Sequence, residues 1–115
     1  MTKKMIACAL TMAFLGGAPV AATGAEGGSS TQGKSLYQEH CLPCHGEDGK
    51  GDGPMAPSFS TPPANFTNPQ FWRNNPDQKI TNAVQNGYRL MPPIGLAPEQ
   101  TKEVIGYLSH AFKNQ

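Results

Sequence analysis

The sequence predicts an all-α fold of three to four short helices joined by long loops. Three observations carry that expectation. No segment alternates apolar and polar residues with the two-residue period of a strand. Three segments carry apolar residues at helical spacing behind start signals, at Ser30-Thr31, Asn75-Pro76 and Pro98. Glycine and proline together make up 24 of 115 residues, 13 and 11, and they crowd between those segments.

The first segment stands apart. Lys3 and Lys4 precede Met5 to Leu15, which is apolar except for Thr11, and small residues follow. That order is a secretory signal peptide over residues 1–25, with cleavage after Ala25, or alternatively after Ala22. The apolar run falls short of the roughly 20 residues a span requires, and Gly16, Gly17 and Pro19 interrupt it. A lipoprotein anchor at Cys8 lacks a preceding apolar stretch. Export to the periplasm and no stable membrane insertion after cleavage are therefore expected, with residues 26–115 as one domain.

Within that domain Glu26 to Ser30 reads as a flexible leader. A helix is expected over Thr31–His40, capped by Ser30 or Thr31. Gly33, Tyr37 and Cys41 recur every four residues on one face, with Leu36 beside them. Gly46, Gly49, Gly51 and Gly53 make residues 46–53 a loop, and six prolines make residues 54–76 a long irregular wrap. Inside it Asn68-Pro69 starts a short helical turn carrying Phe71 and Trp72. Asn75-Pro76 repeats the signal for a helix that runs to Asn86 and stops at Gly87. Its apolar stripe is Ile80, Ala83 and Val84. Residues 88–97 are a loop with Met91-Pro92-Pro93 in it. The last helix spans Pro98–Phe112 and buries Val104, Ile105, Leu108, Ala111 and Phe112.

Charge excludes some functions. Beyond residue 25, seven Lys or Arg face eight Asp or Glu, since Lys3 and Lys4 fall in the leader. No basic run exists, so nucleic acid is not an expected partner. Of three cysteines, Cys8 leaves with the signal. A disulfide across the two-residue gap between Cys41 and Cys44 would close a small loop and stabilise little.

Those two cysteines belong to Cys41-Leu42-Pro43-Cys44-His45, the C-x-x-C-H spacing of covalent haem attachment. Two thiols form thioethers with the haem, and His45 reaches the iron from the same side. Haem would also give this small, Gly- and Pro-rich domain an apolar centre to pack around. The opposite axial position needs another donor. His40 is tethered too tightly beside Cys41, and His110 sits on the outer side of the last helix. Met91 and Met55 remain. Met91 lies 46 residues beyond His45 in a loop stiffened by two prolines, far enough to round the haem edge. Met55, ten residues from His45 beside a glycine-rich loop, is the weaker candidate. Gap-filling in a core is the ordinary role of either methionine.

The chain over residues 31–112 resembles a class I cytochrome c, the small bacterial monohaem kind. The resemblance rests on Gly33-x-x-x-Tyr37-x-x-x-Cys41, Cys41-Leu-Pro-Cys-His-Gly46, Asn86 through Pro93, and Val104-Ile105-Gly106-Tyr107-Leu108. It implies a cytochrome c fold with crossed terminal helices and Gly33 at the crossing, packed by Tyr37 and Tyr107. It implies one haem c held by Cys41 and Cys44, with His45 and Met91 on the iron. It further implies one-electron transfer between protein redox partners by a monomeric carrier that is not an enzyme. The partners would dock near Leu42, Pro92, Pro93 and Ile94. The Pro43 carbonyl is the expected acceptor for the second ring nitrogen of His45. Trp72, Arg73, Asn65 and Tyr88 are candidate donors to the propionates.

Other readings are weaker. The glycine loop has no preceding strand, as a dinucleotide fingerprint requires. Asp48 to Gly53 mimics a calcium loop, but Lys50 fills a ligand position and Phe59 replaces the final Glu. A thiol–disulfide centre at Cys41 and Cys44 belongs to a longer strand–helix fold, and zinc would lack a fourth ligand. Two variants of the haem reading also stand: a subunit held tightly by a dehydrogenase or reductase, and a haem sensor or weak peroxidase in which Met91 leaves the iron.

Overall fold

The computed structural model describes Gly16, Gly17 and residues 30–115. The expected signal peptide, apart from those two glycines, lies outside the described residues. Ser30 opens the first helix, α1 (Thr31–His40), by accepting the Gly33 N–H on its hydroxyl at 2.8 Å. The chain breaks step at Cys41 and restarts as a single turn, α2 (Leu42–His45), with Pro43 in its first turn where no helical N–H is needed. Two 3-10 turns follow, at Ala56–Ser58 and Pro69–Trp72. Asn68 caps the second through the Gln70 N–H at 3.0 Å.

Helix α3 spans Pro76–Asn86 and α4 spans Pro98–Phe112, both with the boundaries expected. The start of α3 differs in mechanism. Asn75 makes no side-chain cap; it sits in the left-handed region, as does Asn74. The following proline disfavours the right-handed helical region for Asn75, and asparagine is among the few side chains that tolerate the left-handed one. Lys79 compensates from inside α3. Its ammonium donates to the carbonyls of Phe71 and Arg73, both at 2.9 Å, and ties the Pro69–Trp72 turn to the helix.

The main crossing is between α1 and α4. Gly33 makes it possible: a Cβ there would run into the Glu103 carbonyl of α4. Tyr37, 1% exposed, lies beside Tyr107 and Phe112 with ring centroids 5.4 Å from each. Val104, Leu108 and Phe112 from α4 meet Leu36 from α1, and Ile80 and Val84 from α3 join them. Burying each such side chain contributes about 1.5–3 kcal/mol, so these stripes dominate the fold. The Gln85 amide of α3 donates to the Leu96 carbonyl at 2.6 Å, joining α3 to the entry of α4. Among the described residues no strand forms beyond an isolated bridge between Tyr88 and Met91. No helix there is long and apolar enough to cross a membrane.

Candidate cofactor site

The attachment motif is one helical turn. The N–H groups of Cys44 and His45 both donate to the Cys41 carbonyl, at 3.2 and 2.8 Å, and Gly46 N–H donates to Leu42. Residues three and four apart on a helix share a face, so Cys41, Cys44 and His45 project together. All three line one cleft of about 590 Å³, walled by Ile80, Val84, Val104 and Leu108. Both thiols are free.

His45 is buried, with Nδ1 3.0 Å from the Ala64 carbonyl. A carbonyl only accepts, so Nδ1 carries the proton and Nε2 keeps its lone pair. The loss of water around the ring lowers its pKa, against a smaller opposing effect from the Ala64 bond, and keeps the imidazole neutral. The ring of Phe66 stacks on it at 4.5 Å with 20° between planes. The sequence expectation of Pro43 as the acceptor fails for a geometric reason. Its carbonyl is part of α2, where helical carbonyls run along the axis, and accepts the Met55 N–H at 2.8 Å instead.

Met91 reaches the same cleft from the far side of the chain. Gly87 ends α3 at φ 76°, where a Cβ would come within 2.7 Å of the Met91 carbonyl. Tyr88 and Met91 then exchange both backbone hydrogen bonds, at 3.0 and 2.9 Å, around a two-residue turn. The Val84 carbonyl accepts the N–H groups of Ile94 and Gly95, folding the loop back onto α3. Met91 is half-buried and lines the cleft; Met55 is 51% exposed and does not. His40 lies at the rim, while His110 is exposed on α4 and absent from the lining.

The propionate candidates divide. The Trp72 indole donates to the Phe66 carbonyl at 2.7 Å, and Asn65 accepts from the N–H and hydroxyl of Thr67. Arg73 is exposed and outside the cleft. Tyr88 does line it, together with Arg89 and Lys79, which sequence reasoning passed over. Phe66 and Ala64 were also missed. They sit in the proline-rich wrap, where no periodicity marks an inward face.

The donor set fits haem and not its rivals. Burial pushes the Cys41 thiol up to about 12, with the neighbouring Cys44 adding to the effect. A thiol–disulfide centre needs the opposite shift. Among the described residues no three His, Cys, Asp or Glu side chains converge as a metal cage. Two free thiols and an unprotonated Nε2 on one face of an apolar cleft are what covalent haem attachment requires. The cleft volume lies within the range of roughly 300–1,000 Å³ usual for ligand sites.

No curated protein matches the chain. Among solved structures it is similar to a chain of the Kuenenia stuttgartiensis reducing HAO-like protein complex Kustc0457/Kustc0458, with 29% identity and a TM-score of 0.59. That likeness covers 73% of this chain but only 43% of the other. The family described as cytochrome c oxidase, cbb3-type, subunit III, matches residues 28–108. With its attachment turn, helical fold and apolar cleft, the chain belongs to that family of c-type cytochromes, whose cofactor is covalently bound haem c.

Proposed function

We propose that residues 26–115 form a monohaem one-electron carrier with His45 and Met91 as axial ligands, exported to the periplasm by a signal peptide over residues 1–25. One observation carries the ligand assignment: Met91 lines the cleft that holds Cys41, Cys44 and His45, and Met55 lies outside it. Haem c, when bound, supplies the Fe(III)/Fe(II) couple. The Ala64 carbonyl orients His45 and strengthens it as a donor. The thioether of Met91 is a soft donor that favours the reduced state and raises the potential. The apolar walls exclude water, which favours the less charged state as well. Iron held by both His45 and Met91 would leave no open position for a substrate. The chain then serves redox protein partners as a monomer, without turnover of its own.

The reduced protein at neutral pH is expected to bind no carbon monoxide. Binding there would favour the sensor or weak-peroxidase reading, with Met91 off the iron. For export, the secreted protein is expected to begin at Glu26, which its N-terminal sequence reads directly.

A second reading has its own support. The family is described as an oxidase subunit, and the similar structure is part of a complex. The same cleft would then serve as the electron-transfer site of a permanent assembly. Native mass measurement separates the two: a mass of one chain plus haem supports the free carrier, and co-purification with a larger redox protein supports the subunit.

A further inference from the structure

Phe66 lies in the irregular wrap, yet it is held as firmly as a residue in a helix. Its N–H donates to the Gly49 carbonyl at 2.7 Å, and its own carbonyl accepts the Trp72 indole N–H at 2.7 Å. Phe71 meets its ring at 5.0 Å edge-on and Phe112 at 6.2 Å nearly parallel. Only 6% of the residue is exposed. Its ring also lies against the imidazole of His45, at 4.5 Å and 20°.

The imidazole is thus constrained twice. The Ala64 carbonyl holds Nδ1 at 3.0 Å. The Phe66 face adds a steric limit, because turning the imidazole about its Cβ–Cγ bond would drive its edge into the stacked ring. Neighbouring groups that orient a metal-binding histidine are worth about 10–100-fold in affinity or activity, and a flat apolar face also keeps water from the ring.

We propose that Phe66 is a positioning residue for His45: it sets the plane of the imidazole and shields it from water, and so contributes to the reduction potential of the bound haem. The proposal rests on His45 being an iron ligand. Phe66→Tyr keeps a flat ring in the stack. Phe66→Leu keeps an apolar side chain without one.

The test compares the wild-type holoprotein with both variants, by low-temperature electron paramagnetic resonance of the oxidised form and by redox titration. Phe66→Leu is expected to retain covalent haem, to show altered g-values and to titrate at a lower potential, because water now favours the more charged ferric state. Phe66→Tyr is expected to keep the wild-type g-values. Wild-type g-values and potential in Phe66→Leu, or equal changes in both variants, would overturn the proposal. If Phe66→Leu does not fold, proton NMR of the reduced wild-type protein reads the contact itself. A cross-peak between the Phe66 and His45 rings is expected, and its absence would overturn the proposal equally. Failure of the underlying reading looks different: His45 resonances without haem ring-current shifts, already in the wild type.

Discussion

At the scale of single residues, the attachment turn is held by a hydroxyl outside the lining of the cleft. Tyr37 donates to the Gly46 carbonyl at 2.5 Å, directly after His45. Removing the hydroxyl in Tyr37→Phe leaves that carbonyl with the Gly49 N–H alone, at 3.2 Å, and the loss of one hydrogen bond, about 0.5–1.5 kcal/mol, is to be read as a lower thermal midpoint of the holoprotein. The same residue gives the fold an alkaline limit. Burial raises the Tyr37 phenol well above its usual value. Its contribution is complete below about pH 10, the unfolded value. It is lost as pH climbs towards the folded value, because the unfolded chain releases the proton first. Denaturation curves from pH 9 to 12 are expected to fall less steeply for Tyr37→Phe than for the wild type. Arg89 makes the opposite kind of statement. It holds φ at 53° in the turn before Met91, a slot that two-residue turns usually give to glycine. Arg89→Gly is expected to stabilise the protein by about 1 kcal/mol, measured by denaturant titration, and a destabilised variant would mean that the guanidinium makes a stronger contact than its stack on Tyr88.

At the scale of elements, the crossing of α1 and α4 turns on Gly33. Overpacking a tight interface costs about 1–3 kcal/mol. Valine is a better helix former than glycine, so the cost of Gly33→Val is expected from its clash with the Glu103 carbonyl, with the unfolding midpoint as readout. Much of this level was legible in the sequence because its signals are local. Ser30, Asn68-Pro69, Gly87 and Pro98 each mark a boundary through their own backbone chemistry, and the elements start or stop there. The five-residue motif likewise states its own geometry, since spacings of three and four share a helical face. The Ala64 acceptor and the Phe66 stack were not legible. Both arise where residues 19 and 21 positions beyond His45 fold back onto it through a proline-rich segment with no period. Asn75 illustrates a subtler limit. The sequence marks the place of the helix start, but not the left-handed backbone of Asn74 and Asn75 there or the Lys79 bonds to the preceding turn.

At the scale of the whole molecule, the cleft lies where the apolar stripes of three helices converge. Ile80, Val84, Val104 and Leu108 belong both to the core and to the cleft wall. The cofactor therefore completes the core. Without it, the apolar wall of that cleft faces water, at about 25 cal/mol per Å² of apolar surface. The chain with Cys41→Ala and Cys44→Ala, produced without haem, is expected to show no cooperative thermal transition by circular dichroism. A sharp transition near that of the holoprotein would mean that the helices pack without it.

The assignment of Met91 as the second axial ligand is what turns an attachment motif into a closed electron-transfer site. Absorption spectra of the oxidised wild type, Met91→Ala and Met55→Ala test it most directly, through the methionine–iron charge-transfer band. The band is expected in the wild type and in Met55→Ala, and lost in Met91→Ala. Its persistence in Met91→Ala, or its absence from the wild type, would contradict the assignment.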